Sequence, residues 1–410
     1  MREQIKILNK FIYIAMIVLI SLISVGLTSN ENDKKIHSNI TIENIDVGKL
    51  TKKQATKKLE EKYKLNDFYI TFDNEQWLIK VKNIDLDYHI EEIVNEAFNY
   101  TRNISMMENI KRKSTLNFKE SHNIKLKATY DEIKLSKELQ TICQDINEGA
   151  VDASFHLGSS GEIKITKSKK GKRVDISRLK EDIYDMINKK KIENIDLTVV
   201  TLYPKISTEQ VKSINSIIGQ FSTSFNDSTS RGSNIHVAGQ STSDILLMPG
   251  QTFSYNKHTG ARNLVNGYKS APIIVGGEVI NGEGGGVCQV STTIYNAALL
   301  SGLKIDEVHN HSITSKYVQR GRDATVSYGY TDLKFTNPYS HPIYIKNIVG
   351  NGTITCKIYG CNLDRKRVNI TMVEKYTKDK IIVQTYRLYL DKENNIARKE
   401  LVNTSVYENY

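Results

Sequence analysis

Cysteine is scarce in this sequence, which has four among its 410 residues: Cys143, Cys288, Cys356 and Cys361. So few cysteines exclude a fold of this size that is held together by disulfides. If Cys288 is set aside, three remain and at most one pair can close. Cys356 and Cys361 are near enough to bridge across a tight turn, but in a single strand their separation would approach the limit for a disulfide. The sequence leaves that bridge open.

Aromatic residues are absent from the two most basic runs, "KSKKGKR" at 167–173 and "KKK" at 189–191. The formal net charge of +11 admits cell-wall polymers, anionic lipid or nucleic acid as neighbours. Neither run interleaves aromatics as a base-stacking surface does. We therefore expect no nucleic acid partner and predict a solvated turn and a helix end at these runs.

Charged residues are also absent from 11–27, an apolar run that Arg2, Lys6 and Lys10 precede. Such a run is a membrane segment or an export signal. The following "SVGLTSN" is a poor cleavage site, which favours an uncleaved transmembrane anchor at 11–27. The basic residues predict a cytoplasmic tail at 1–10 and place everything after the polar linker at 28–40 outside the cell.

The next segment, 41–205, shows one order of elements twice. In "LTKKQATKKLEEKY", Thr51 and Gln54 have the spacing of a capping box, which predicts a helix. The residues that follow predict a strand, a turn at Asp73, a second strand and a helix from about Ile90.

"VDASFHLGSSGEIKITKSKKGKRVDISRLKEDIYDMI" has the same pattern: strand, turn, strand, basic turn and a helix that begins at Asp175 or Ser177. The repetition indicates two small α+β units. Between them, "TYDEIKLSKELQTICQDI" predicts an amphipathic helix in which Cys143 is a buried apolar residue.

From about residue 213 the sequence becomes rich in Ser, Thr, Gly and Asn and poor in charge. A loop-rich mixed α+β domain is predicted over 213–365, and loops on a rigid scaffold often carry binding and catalytic groups. The last segment, 366–410, alternates apolar and polar residues across a "DKENN" turn and predicts a β-hairpin. The fold class expected for the whole chain is α+β.

Cys288 follows three consecutive glycines in "GEGGGVCQVSTTIYNAALLSG". The residues at the spacing of a buried helix face are Val287, Val290, Ile294, Ala297 and Ala298. Cys288 then lies in the first turn, where the positive end of the helix dipole favours thiolate over thiol. The backbone around Gly285, Gly286 and Val287 is predicted to form an oxyanion hole for an acyl substrate.

Two histidines about twenty residues further on are candidate bases for that thiol, His309 and His311 in "HNH". In an extended segment both imidazoles point to the same side, so the sequence does not choose between them. Asp323 is a candidate for fixing the tautomer of the base, and Arg320 and Arg322 are suited to binding a carboxylate.

Two other interpretations of these residues remain. Cys288 could be a core residue of a non-catalytic protein. Alternatively, Cys288, His309 and His311 could bind zinc for a hydrolase, although no second cysteine or carboxylate stands at a familiar spacing. We expect no metal and no other cofactor.

The segment 249–329, with "GEGGGVCQV", "HNHS" and "GRDAT", closely resembles the VanW domain family. Upstream, "INEGAVDASFHL" and "KRVDISRLKEDI" resemble the peptidoglycan-binding repeats that often precede VanW domains. The resemblance implies a membrane-anchored protein that faces the cell wall of a Gram-positive bacterium and contacts peptidoglycan stem peptides.

Some VanW-domain proteins are implicated as L,D-transpeptidases, which form 3-3 cross-links through a cysteine thioester. The resemblance implies that Cys288 is the nucleophile, that His311 is the histidine of the "HS" pair and that Asp323 belongs to the "GRDAT" element. With water as the acceptor, the same site would be an L,D-carboxypeptidase. The alternative from another class is a peptidoglycan-binding or glycopeptide-resistance accessory protein without catalysis.

Overall fold

The computed structural model describes residues 34–102, 105–118, 120–158, 162–275 and 278–409. Its α-helices are α1 Lys52–Lys62, α2 Ile90–Asn99, α3 Met106–Asn117, α4 Glu132–Ile146, α5 Ile176–Lys189, α6 Thr208–Lys212, α7 Ser230–Ser241, α8 Tyr255–Thr259 and α9 Val287–Leu300. Its β-strands are β1 Ile40–Ile42, β2 Ile45–Asp46, β3 Phe68–Phe72, β4 Glu75–Ile79, β5 His122–Ile124, β6 Ser154–Leu157, β7 Ile163–Thr166, β8 Gly171–Val174, β9 Ile195–Asp196, β10 Val199–Leu202, β11 Ser216–Ser224, β12 Ile245–Leu247, β13 Thr252–Ser254, β14 Ser270–Val275, β15 Glu278–Glu283, β16 Lys304–Glu307, β17 Lys334–Thr336, β18 Ile343–Gly350, β19 Thr353–Gly360, β20 Val368–Tyr376, β21 Lys380–Leu390 and β22 Ile396–Glu408.

The chain is mixed α+β, as its sequence predicts, and its contacts divide it into two compact units. The first unit contains the described residues up to Gly149 and Gly171–Leu202, and the second contains Ala150–Lys170 and the chain from Tyr203 onward. The division does not follow the two predicted repeats, because the β6–β7 hairpin belongs to the second unit and α5 to the first.

The predicted cytoplasmic tail, the transmembrane anchor at 11–27 and the first part of the linker, 28–33, lie outside the described residues. Among the helices that the structure describes, none combines the length and the apolar character needed to cross a membrane.

The first unit contains small sheets covered by amphipathic helices. Its sheets have the strand orders β2-β1-β5, β4-β3-β9 and β10-β8. The two three-stranded sheets are mixed: β1 pairs antiparallel with β2 and parallel with β5, and β3 pairs antiparallel with β4 and parallel with β9. One continuous apolar core joins these sheets to helices α1 to α5.

Side-chain caps fix the helix starts that the sequence indicated. Thr51 and Gln54 form the predicted capping box of α1. Asp175, rather than Ser177, caps α5, and its carboxylate accepts a hydrogen bond from Arg178 N at 3.1 Å. The basic run at 167–173 is only partly a turn, because its last residues form β8 and pair antiparallel with β10.

The second unit is built around an antiparallel sheet with the order β11-β19-β18-β12. A smaller sheet, β13-β17-β16, and two hairpins, β6-β7 and β14-β15, complete its middle part. The C-terminal segment is a three-stranded antiparallel sheet, β20-β21-β22, instead of the predicted two-stranded hairpin. The predicted "DKENN" turn does join β21 to β22, and β20 adds the third strand.

Helix α9 runs through the core of the second unit and contacts β11, β19 and α7. Val290 and Ile294 have no exposed surface, and burial of each such side chain contributes about 1.5–3 kcal/mol. Strand β11 approaches the end of this helix at Gly219, where a Cβ atom would lie 2.2 Å from Ser301 Oγ. A rigid, buried helix therefore carries Cys288 near its first residue.

All four cysteines are free thiols. Cys356 lies inside β19 and Cys361 directly follows that strand. Five residues of extended chain separate Cα atoms by roughly 16 Å, about twice the reach of a disulfide. The extended strand thus excludes the bridge that the sequence left open.

Candidate active site

The glycines before α9 shape the backbone that presents Cys288. Gly286 is the N-cap residue with φ 107°, and a Cβ there would lie 2.9 Å from the Arg231 carbonyl oxygen. Both the positive φ and the close backbone require glycine. Gly284 also has a positive φ, 80°. Because α9 begins at Val287, Cys288 is its second residue, where the helix dipole favours a thiolate.

Cys288 is a half-buried residue whose thiol contacts a histidine and a backbone carbonyl. Its Sγ atom lies 3.6 Å from the Val326 carbonyl oxygen. Burial opposes ionisation of the thiol, but a hydrogen bond with His311 and the charge of that imidazole outweigh burial, so the pKa of Cys288 is lowered. The position therefore favours the thiolate form that a cysteine nucleophile requires.

His311 connects this thiol to a buried carboxylate. Its Nδ1 lies 2.7 Å from Asp323 Oδ2, and its backbone N–H donates to the same oxygen at 2.7 Å. Burial by itself would lower the pKa of His311, but the bonds to Asp323 and Cys288 raise it to about 10. With Nδ1 held by Asp323, Nε2 is the nitrogen left for the thiol. The thiol, the imidazole and the carboxylate thus stand in the order that a nucleophile, a base and an orienting group have in a catalytic triad.

Polar side chains of α9 hold the segment that carries Asp323. Ser291 Oγ donates to the Ala324 carbonyl at 2.6 Å, and Thr292 Oγ1 accepts from Ala324 N at 2.9 Å. Asn296 Nδ2 donates to the Arg322 carbonyl at 2.8 Å. Each of these helix residues is buried. The same helix thus fixes the thiol at one end and the carboxylate along its side.

The C-terminal strand β22 completes the surroundings of Asp323 and His311. The Tyr407 hydroxyl donates to Asp323 Oδ1 and accepts from Gly321 N at 2.6 Å. Asn310 Nδ2 donates to the Val406 carbonyl at 2.7 Å, which ties the histidine loop to this strand. The sequence separation of 84 residues between Tyr407 and Asp323 explains why no local pattern indicates Tyr407.

The other candidate base, His309, is directed elsewhere. Its Nε2 lies 3.1 Å from Glu307 Oε1, and its side chain is 45% exposed against 10% for His311. The extended "HNH" predicted from the sequence would place both rings on one side. The structure instead brings only His311 to Cys288 and Asp323.

Neither predicted arginine is placed at the thiol. Arg320 lies 3.5 Å from Glu374 and donates to Thr314 Oγ1 at 2.9 Å. Arg322 donates to Asn296 Oδ1 at 2.6 Å and stacks over the Phe221 ring. Both guanidinium groups are thereby engaged in structural contacts.

Of the three amides predicted to form the oxyanion hole, the N–H of Val287 is already hydrogen-bonded in the structure. It donates to the Gly284 carbonyl at 3.2 Å. Within the described residues, the N–H groups of Gly285, Gly286 and Cys288 have no acceptor. These three amides are the available donors for a negatively charged oxygen beside the thiol.

Sequence reasoning missed a cation and two tyrosines near the thiol. The charge of Arg262 contributes to the lowered pKa of Cys288. The Tyr255 hydroxyl donates to the Val287 carbonyl at 3.0 Å. Burial and the nearby Cys288 raise the pKa of Tyr317, which hydrogen-bonds to Thr292. None of these residues stands at a motif spacing from Cys288, so no local pattern indicates their place beside the thiol.

The predicted zinc alternative has no matching cluster in the part of the chain that the structure describes. The ligand atoms of His341, Cys361 and Asp364 lie within 4.8 Å of one another, and this group includes none of the three residues proposed to bind zinc. A hydrogen-bonding distance of 3.0 Å between His341 Nδ1 and Asp364 accounts for the closeness of two of them.

Comparison with known proteins finds two families in this chain. Residues 230–359 match the family described as "VanW like protein", and residues 77–196 match "Putative peptidoglycan binding domain". The first match contains Cys288, His311 and Asp323, whereas Tyr407 lies beyond it.

Two curated proteins are similar to the chain. "Uncharacterized protein YoaR" of Bacillus subtilis (strain 168) is 33% identical over 237 residues, which are 57% of this chain and 77% of that protein. "Vancomycin B-type resistance protein VanW" of Enterococcus faecalis (strain ATCC 700802 / V583) is 28% identical over 110 residues, which are 25% of this chain and 40% of that protein. No solved structure matches the chain.

Proposed function

The chain belongs to the VanW family, and on that premise we propose that it is a cysteine-dependent L,D-transpeptidase of peptidoglycan. The observation that carries the proposal is the chain of contacts from Cys288 through His311 to Asp323, with a lowered thiol pKa and a raised imidazole pKa. Such an arrangement supplies a thiolate and a proton donor together, as acyl transfer through a thioester requires.

In the proposed first step, the Cys288 thiolate attacks the carbonyl carbon of the third residue of a tetrapeptide stem. A C–S bond forms, and free amides at Gly286 and Cys288 stabilise the oxygen. The C–N bond to the terminal D-alanine then breaks, and His311 donates its proton to the leaving amine. The products are a thioester and free D-alanine.

In the proposed second step, a side-chain amine of another stem attacks the thioester. Neutral His311 takes the proton of that amine, a new amide bond forms, and Cys288 leaves as a thiolate. One D-alanine is released for each 3-3 cross-link, and neither a nucleotide nor an oxidant is consumed. Water in place of the amine gives carboxypeptidase activity at the same site.

The match to a peptidoglycan-binding family over residues 77–196 supports the polymer as the partner. In this proposal the first unit contacts the wall, the apolar run at 11–27 anchors the chain in the membrane, and both units act outside the cell. The same match also favours a second candidate, a peptidoglycan-binding accessory protein that needs no reactive thiol.

Mass spectrometry of muropeptides distinguishes the two candidates. The full-length chain is incubated with disaccharide tetrapeptide, beside Cys288→Ala and a matched control, Cys143→Ala. Cys143 suits the control because it lies in α4 of the first unit, where burial raises its pKa. We expect 3-3 dimers from the wild type and from Cys143→Ala, and none from Cys288→Ala.

Cysteine-dependent tripeptide without dimers would instead indicate a carboxypeptidase. Unchanged substrate with a folded chain that still sediments with peptidoglycan would refute the transpeptidase proposal and favour the accessory protein.

A further inference from the structure

Arg262 has buried hydrogen-bond donors that nothing in the described structure satisfies. Its Nη2 donates to Asn256 Oδ1 at 2.5 Å. Its Nε and Nη1 atoms are buried and have no hydrogen-bond partner, and no described carboxylate forms an ion pair with this guanidinium. Buried charged donors left unpaired are costly, so an arrangement of this kind calls for a ligand.

The packing of Arg262 holds this charge at the start of α9. A Cβ at Gly284 would lie 2.7 Å from Arg262 Cβ, so the stem of the arginine packs directly on the glycine backbone. The guanidinium carbon lies 5.4 Å from the centre of the Tyr255 ring and 5.8 Å from that of Tyr328. Tyr255 in turn is bonded to the Val287 carbonyl, one residue before the thiol.

We propose that Arg262 binds the terminal carboxylate of the residue that leaves when Cys288 is acylated. The inference rests on the proposed acyl transfer. In a donor with one residue after the scissile bond, the carboxylate carbon is three bonds from the attacked carbonyl carbon. A cation without an ion-pair partner, packed against Gly284 and Tyr255 near the nucleophile, is suited to that nearby carboxylate.

The proposal defines the substrate class as peptides whose chain ends one residue beyond the bond that is broken. The bound carboxylate departs with the leaving amino acid, so this contact acts on the donor alone, whereas the charge of Arg262 also acts on the Cys288 thiol. Loss of the contact is therefore expected to slow formation of the thioester and to abolish the discrimination between donors with and without a terminal carboxylate.

The first test measures thioester formation by intact-protein mass, with a disaccharide tetrapeptide as the free acid and as its C-terminal carboxamide. A charged hydrogen bond supports a preference of the wild type for the acid of about 10- to 100-fold. Arg262→Met should lose this preference, with the rate on the acid falling to that on the amide. Arg262→Gln, which keeps an amide near Asn256, serves if the first variant does not fold.

Arg320→Met is the matched control, because Arg320 is paired with Glu374 away from the thiol. It should keep the preference for the acid. A folded Arg262→Met protein that still prefers the acid would overturn the inference and leave the proposed function intact. If the wild type forms a thioester with neither donor, that result would instead contradict the proposed function.

A second test does not depend on peptidoglycan chemistry. The alkylation rates of Cys288 by iodoacetate and by iodoacetamide are compared in wild type and Arg262→Met. If Arg262 forms a carboxylate site beside the thiol, it should favour iodoacetate over iodoacetamide. The ratio of the iodoacetate rate to the iodoacetamide rate should therefore fall about 10-fold in the variant. An unchanged ratio would overturn the inference whatever the natural substrate is.

Discussion

Replacing Asp323 with asparagine removes the charge behind His311 at nearly constant volume. Asp323 is 1% exposed, and its carboxylate accepts hydrogen bonds from the His311 ring, the His311 backbone and Tyr407. Without that charge the imidazolium loses its partner. Because imidazolium and thiolate stabilise each other, the pKa of His311 should fall and the pKa of Cys288 should rise.

The size of the effect follows from the pKa of His311, which is about 10 in place of 6.5. That difference corresponds to about 5 kcal/mol in favour of the imidazolium. Asp323 and the Cys288 thiolate share this stabilisation. Asp323→Asn should therefore raise the pKa of the Cys288 thiol. Near neutral pH, the thiolate population and the alkylation rate should then fall about 10- to 100-fold.

The assay is the iodoacetamide alkylation rate of Cys288 between pH 5 and pH 10, resolved by peptide mass spectrometry because three other thiols are present. Asp332→Asn is the matched control. Asp332 is also buried and accepts from Ser254 Oγ and Asn256 N, but it does not touch His311. A folded Asp323→Asn protein with the wild-type pH profile would refute the coupling of Cys288, His311 and Asp323.

Three further predictions concern pH and stability. The rate of cysteine-dependent turnover should fall above about pH 10, because His311 loses its proton there. On the acid side the rate should fall only below the ordinary pKa of a thiol, because the pKa of Cys288 is lowered. A loss of rate that begins near pH 7 on the basic side would contradict the raised pKa of His311. Gly286→Ala should lower the free energy of unfolding by about 1–3 kcal/mol because its φ is 107°, and an unchanged Tm would argue against strain at that position. Arg387→Met should lower the free energy of unfolding, measured in urea, by about 3–5 kcal/mol. Arg387 is 1% exposed and donates to Glu400 and two carbonyls. A similar loss in the exposed control Arg398→Met would contradict this prediction.

The helices were the most predictable part of the fold. The capping box at Thr51 and Gln54 and the apolar spacing after Cys288 are local signals, formed within a few residues. The third C-terminal strand was missed, because whether β20 pairs with β21 depends on contacts between segments distant in sequence.

The sequence pattern also did not predict how the chain divides into two compact units. Only β8 separates the β6–β7 hairpin from helix α5 in the sequence, and together they have the order of an α+β repeat, yet the hairpin and the helix belong to different compact units. Apolar faces alone do not specify their partners, since any complementary face can bury them. Packing of the whole chain selected the partners.

By itself the sequence determined where the proposed nucleophile of this protein lies. Three glycines, a helix start and a cysteine at its second residue are a local arrangement, and the positive end of the helix acts on that thiol without distant partners. Tertiary structure alone decided that His311 faces the thiol, that Tyr407 supports Asp323 across 84 residues and that Arg262 has buried donors without a described partner. Orientation, burial and unpaired donors depend on contacts between remote segments, and no local spacing encodes those contacts.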